Sequence, residues 1–309
     1  MTHVTDSSPA LSIIPHLWFD TQAKEAAEFY CSVFPESSIQ SAAKLRDTPS
    51  GDADLISFTI WGTPFMAISA GPYFKFNPAI SFIVNFDPSR ESRARELLDE
   101  TWNKLAEEGI ALMPLGEYPF SKRYGWIQDK YGVTWQLMLT NPEGEPRPTI
   151  IPSLLFTGDN YGKAEEAREL YLSVFRNSKP GPLVRYPAGM EPDQEGMVMF
   201  TDFKLENTWL AAMDSAFEHG FTFNEAISLL VHCRTQEELD HYADKLSAAP
   251  EAEQCGWLKD RFGVSWQFSP VVMEEMMSKG TPEQIQRVTE AFLKMKRFDI
   301  AKLEQAFRG

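Results

Sequence analysis

The chain has 309 residues, 43% of them hydrophobic and 13% aromatic, enough for two packed domains and too apolar for global disorder. A net charge of −15 argues against nucleic acid or an anionic membrane as partner. Three cysteines, Cys31, Cys233 and Cys255, are odd in number and lack CxxC spacing, which argues against a disulfide framework or a zinc knuckle.

MTHVTDSSPA, residues 1–10, has no basic or apolar signal region and reads as a disordered start. No apolar run reaches the roughly 18 residues of a membrane helix, so the expected location is cytoplasmic, with no membrane partner. IIPHLWF (13–19) is a short apolar strand. TQAKEAAEFYCSVF (21–34) follows at helical spacing, with Thr21 as expected N-cap. LISFTIW (55–61) and PFMAISA (64–70) form a hairpin about Gly62-Thr63. AISFIVNF (79–86) is a strand, and residues 89–109 are an amphipathic helix stopped by Gly109. YGWIQD and VTWQLML then pair around Tyr131-Gly132. NPEGEPRPT is polar and Pro-rich, and residues 142–148 read as a linker.

From there the order repeats. IIPHLWF returns as IIPSLLF (150–156), EFYCSVF (28–34) as ELYLSVF (169–175), and FKFNPAISFIV (74–84) as FTFNEAISLLV (221–231). GWIQDKYGVTWQ (125–136) returns as GWLKDRFGVSWQ (256–267), with mild exchanges such as Ile127/Leu258 and Tyr131/Phe262. The expected organisation is two domains, 11–141 and 149–270, each with a βαβββ pattern twice and mixed sheets, an α+β class. Residues 271–309 lack strand signals. Thr281-Pro282-Glu283 starts a helix with Ile285, Val288, Phe292 and Met295 on one face, and Asp299 caps a last helix. That tail packs either on its own sheet or on a second chain as an oligomer clasp.

These blocks resemble the PhnB-like family, labelled 3-demethylubiquinone-9 3-methyltransferase, within the glyoxalase/bleomycin-resistance/dioxygenase (vicinal oxygen chelate) superfamily. The resemblance spans nearly the whole chain as two tandem domains. It implies that two βαβββ modules curl into each cup, which holds a ligand or metal, and that the domains pair within the chain, with a further homodimer left open. It also implies a metal-ligand pattern of His on the first strand and Glu four residues after the Gly of the last hairpin. Here those places hold His16 and Gln136 in the first domain and Ser153 and Gln267 in the second; the third place falls near Ala79 and Ala226. A catalytic zinc site needs three protein ligands and an open position, so neither a metal nor another cofactor is expected.

Phe74, Phe76 and Asn77, and likewise Phe221, Phe223 and Asn224, suit the apolar wall and polar group of a small-molecule pocket. They equally suit a core with Asn-capped turns. Trp135 and Trp266 alternate with the Gln residues and should face the helices. Asp214 is a candidate carboxylate at the second cup's rim, where Ala70 stands in the first domain. No GxGxxG occurs, which argues against a Rossmann-type methyltransferase. His219, His232 and His241 show no nucleophile or charge partner in sequence. Three functions remain compatible: a small-molecule-binding protein, a metal-dependent isomerase, lyase or dioxygenase, and an interaction protein with degenerate cups.

Overall fold

The computed structural model describes residues 11–48, 51–141 and 145–309. The expectation for residues 1–10, and residues 142–144 of the linker, lie outside the described residues.

Four modules follow one another. The first is β1 (Ile13–Phe19), α1 (Ala23–Val33), β2 (Ser38–Thr48), β3 (Gly51–Ile60) and β4 (Thr63–Ser69). The second is β5 (Ile80–Phe86), α2 (Ala94–Ala106), β6 (Ile110–Tyr118), β7 (Ser121–Gln128) and β8 (Thr134–Leu139). The third is β9 (Ile150–Phe156), α3 (Ala164–Val174), β10 (Ser178–Arg185), β11 (Val198–Leu205) and β12 (Thr208–Asp214). The fourth is one strand shorter: β13 (Ile227–Cys233), α4 (Gln236–Leu246), β14 (Trp257–Lys259) and β15 (Ser265–Pro270). The tail holds α5 (Val271–Lys279), α6 (Pro282–Phe292) and α7 (Ile300–Arg308).

The mixed sheets and paired modules are those of tandem glyoxalase-like domains. Which modules share a sheet differs from expectation. Sheet A runs β14-β15-β13-β1-β4-β3-β2 and sheet B runs β10-β11-β12-β9-β5-β8-β7-β6. Each sheet therefore joins one module from each repeat, through the antiparallel pairs β1/β13 and β5/β9.

The reason lies in the repeated blocks. Trp135 on sheet B is fully buried, with its ring 5.2 Å from Tyr30, in the last turn of α1 under sheet A, and 4.9 Å from Phe34, which follows that helix. Trp266 meets Tyr171 and Phe175 in the same way, at 5.3 and 5.4 Å. The two modules of one repeat thus meet through aromatic packing between the sheets, and their strand edges are left to pair with the other repeat. Asp129 fixes the hairpin that presents Trp135: its carboxylate accepts from the Tyr131 and Val133 amides and from Trp135 Nε1. Asp260 does the same for Phe262, Val264 and Trp266. Gly132 and Gly263 make the turns with φ of 95° and 87°, where a Cβ would be strained. The repeated dodecapeptide is a scaffold device.

Asn77 and Asn224 stitch the repeats together. Asn77 Nδ2 donates to the Thr222 carbonyl and Asn224 Nδ2 to the Lys75 carbonyl, while each Oδ1 accepts the amide two residues on. Thr21 does not cap α1. The Ala23 amide is held instead by Ser69 Oγ on β4.

The tail packs on its own chain. Thr281 and Gln284 form a reciprocal capping box, and Asp299 accepts from the Lys302 amide. The Met295 and Lys296 carbonyls accept from the Cys255 and Gly256 amides beside β14. In sheet B the counterpart Tyr124 faces Gly116 of β6. The tail therefore stands where the fourth module lacks a strand. Among the described residues, no helix is long and apolar enough to cross a membrane.

Candidate functional site in the open faces of the two sheets

Strand periodicity sorts each side chain to one of two faces. On β1, Ile13, Leu17 and Phe19 enter the core under α1, so Ile14, His16 and Trp18 lie on the face away from the helices. This is the open face of sheet A. By the same alternation β13 adds Ser228, β15 adds Ser265 and Gln267, and β14 adds Trp257.

The polar centre of this floor is compact. His16 stands directly across from Ser228. Gln267 Nε2 donates to Ser228 Oγ at 2.7 Å, and Trp257 lies across from Gln267. The Trp257 ring meets His16 edge-on at 5.7 Å and Trp18 at 5.9 Å, and Phe74 packs on Trp18 at 5.2 Å. His16 is buried, and among the described residues neither its Nδ1 nor Ser265 Oγ has a hydrogen-bond partner. Burial pushes the His16 imidazole down to about pKa 4, so the ring is neutral at pH 7 and one nitrogen can donate while the other accepts.

Sheet B repeats the plan with other contents. Ser153 of β9 stands across from Ser81 of β5. Gln136 Nε2 donates to Ser81 Oγ at 2.7 Å, and its Oε1 accepts from Tyr124 OH at 2.8 Å. Ser153 Oγ and Trp126 Nε1 are buried without hydrogen-bond partners among the described residues. Ile83, Ile151, Trp209 and Ala211 form an apolar cluster separate from the main core.

His16 and Gln136, expected in one cup, are therefore on different sheets. The fold places His16 with Gln267 and Ser153 with Gln136, because the strand edges pair across repeats. The third position is also corrected: Ser228 and Ser81 face the floors, whereas Ala226 and Ala79 give their carbonyls to the Trp18 and Leu155 amides. Asp214 does not stand at a rim. It is buried on the helix side and accepts from the Gly162, Ala164 and Val198 amides, anchoring α3 as Ser69, not Ala70, anchors α1. Asn77 and Asn224 are engaged as stitches. Phe76 and Phe223 pack on Phe19 and Phe156 in the core. Phe221 lines an open groove of about 620 Å³ with Tyr161, Phe217 and His219, none of them on either floor. His219 shares a 2.8 Å hydrogen bond with Ser215 Oγ, and His232 lies 3.6 Å from Glu274 of α5.

Sequence reasoning missed Trp257, Trp126, Tyr124 and Ser228. A signal existed: Ile127 and Leu258 are core residues, so their neighbours Trp126 and Trp257 must face away. The fold family's metal can be tested against the donors. The centre of the sheet A floor offers the His16 imidazole, the Gln267 carboxamide and hydroxyls; the His232 imidazole lies on the same face four residues along β13 from Ser228, against the Glu274 carboxylate. Among the described residues no group of three His, Cys, Asp or Glu side chains could hold an ion. This set does not fit a three-ligand catalytic centre.

The model of the family described as 3-demethylubiquinone-9 3-methyltransferase matches residues 11–138 and again 148–269. A PhnB protein from Bacillus cereus is 39% identical over 42% of this chain and 99% of its own, with a TM-score of 0.37. Glyoxalase I from Zea mays is similar in fold, with a TM-score of 0.53 at 11% identity, over 87% of this chain and 97% of its own. No curated protein matches the chain.

Proposed function

The chain belongs to the 3-demethylubiquinone-9 3-methyltransferase family, and on that premise we propose that it binds a planar, largely apolar small molecule with one polar group, on the open face of sheet A. The observation that carries this reading is His16 Nδ1, buried beside the Trp257 ring without a hydrogen-bond partner among the described residues. A buried polar atom without a partner costs about 1–3 kcal/mol, which a ligand hydrogen bond recovers. Gln267 commits its amide nitrogen to Ser228, which leaves its oxygen as an acceptor for the same ligand. Trp257, Trp18 and Phe74 supply aromatic walls, the usual make-up of a small-molecule site. Binding is favoured over methyl transfer because both sheets are mixed and the sequence has no glycine-rich strand-to-helix turn for a nucleotide-like cofactor. No metal step is drawn, since the donors do not suit one.

A thermal-shift screen of aromatic metabolites and antibiotics tests the reading. A ligand that raises the wild-type Tm should bind about tenfold or more weakly to Gln267→Ala, as 1.4 kcal/mol is a factor of ten, and unchanged to Gln136→Ala. A hit that binds all three proteins equally would remove sheet A as the site.

A further inference from the structure

The two floors match position by position, yet their exposure differs in one direction. Gln136, Ile151 and Ala211 are buried on sheet B, whereas their counterparts Gln267, Ile14 and Met66 are partly exposed on sheet A. The segment that joins the repeats reaches this floor at Trp209, which clusters with Ile151 and Ala211. The Arg147 guanidinium lies 3.8 Å over the Trp209 ring. Its Nε and Nη2 donate to the two oxygens of buried Asp202, at 2.7 and 3.3 Å. Asn85 Nδ2 donates to the Pro148 carbonyl at 2.8 Å, and Lys179 Nζ holds Glu145 at 2.8 Å. A two-bond guanidinium–carboxylate pair stacked on an aromatic ring is among the stronger polar contacts a protein makes. On sheet A the place of Trp209 is taken by exposed Pro64.

We propose that residues 145–149 form a strap, pinned by Arg147, that closes the open face of sheet B and leaves the chain with a single ligand site, on sheet A. The strap rests on the reading of sheet A as the ligand site only for the number of sites, since the closure itself concerns sheet B. Arg147 is then the residue that decides which of two similar floors is available. Freed of it, sheet B presents Trp209 and Ile151 together with two unused donors, Trp126 Nε1 and Ser153 Oγ, to a planar molecule carrying an acceptor.

The full chain titrated with 8-anilinonaphthalene-1-sulfonate, a planar apolar probe with acceptor oxygens, tests this by fluorescence. Wild type should show one site per chain, lost in Trp257→Ala. Arg147→Ala should show two, and the added one should survive in the Arg147→Ala, Trp257→Ala double variant. Asp202→Asn, which keeps the strap's shape and weakens its anchor, should open the same second site, and it decides the matter if Arg147→Ala does not fold. Two sites in wild type, or no added site in either folded strap variant, overturns the strap. No site in wild type but one in Arg147→Ala overturns the sheet A reading alone and leaves the strap standing.

Discussion

The floors of sheets A and B are built from equivalent strands, carry the same Gln–Ser hydrogen bond at 2.7 Å, and differ in what surrounds it. On sheet B, Gln136 is bonded at both ends and Trp209 lies under Arg147. On sheet A, Gln267 has one described partner, and His16 replaces Ser153 with a buried ring nitrogen left over. The repeats share the Gln–Ser pair and the Trp126/Trp257 position on their floors and differ at His16/Ser153 and Pro64/Trp209.

The largest effects should be symmetric. Trp135→Ala and Trp266→Ala each remove a fully buried ring that joins the two modules of one repeat. Each should cost about 3–5 kcal/mol in urea unfolding, and the two should agree within about 1 kcal/mol. A cost at one position less than half that at the other would break the equivalence of the scaffolds.

The next effect separates the floors by pH. His16 has its folded pKa pushed down to about 4 by burial, against 6.5 for the free side chain. Below pH 6.5 the unfolded chain binds a proton that the folded chain refuses, so stability falls as pH drops from 6.5 to 4 and is level above that window. The loss is about 3 kcal/mol, at 1.36 kcal/mol per pH unit. Asp129, pushed up to about 6 by burial, works in the opposite sense over a similar window. The readout is therefore the difference between wild type and His16→Ser, which gives sheet A the residue of sheet B. The variant should hold its stability better between pH 6.5 and 4 by that amount; identical slopes would mean that His16 is not buried in its neutral form.

A third comparison concerns the glutamines in the absence of ligand. Gln136→Ala strands both Tyr124 OH and Ser81 Oγ in a buried setting and should cost about 2–3 kcal/mol. Gln267→Ala leaves only Ser228 and opens onto a partly exposed position, at about 1 kcal/mol. Equal costs would erase the claimed difference in satisfaction between the floors.

Strands such as β1, β3 to β5 and β8, the hairpin turns and the tail caps were legible because they rest on local periodicity and capping, as at Thr281, Asp299 and Gly132. β2, β6 and β10 were not, and β6 and β10 are mostly exposed edge strands with little apolar alternation to read. The inward direction of Trp135 was legible for the same reason. The partnering of modules was not. β1 pairs with β4 on one edge, and whether its other edge meets β5 of its own repeat or β13 depends on where the aromatic blocks pack, which no local pattern encodes. Site assignments that assumed one cup per repeat, such as His16 with Gln136, failed with it. Asn77 and Asp214 misled for a related reason: a polar side chain at a strand end reads alike whether it meets a ligand or a backbone amide.

The smallest effect tests the one place where the two sheets differ in architecture. Sheet B is completed by β6, and sheet A by the Met295–Lys296 carbonyls of the tail, which accept from the Cys255 and Gly256 amides. The tail is held by side-chain caps and helix packing, so it should open locally without unfolding the sheets. Thr281→Ala removes the Thr281 Oγ1 acceptor of the Gln284 amide and half of the capping box. Losing such a cap costs about 1 kcal/mol. Hydrogen exchange at the Cys255 and Gly256 amides should then quicken about fivefold, while the Leu154 amide in the centre of sheet B keeps its rate. An unchanged rate at Cys255 would mean that α6 is not what holds the tail in the missing strand's place, and that β14 is protected by the Phe298 ring, which packs against Gly256, alone.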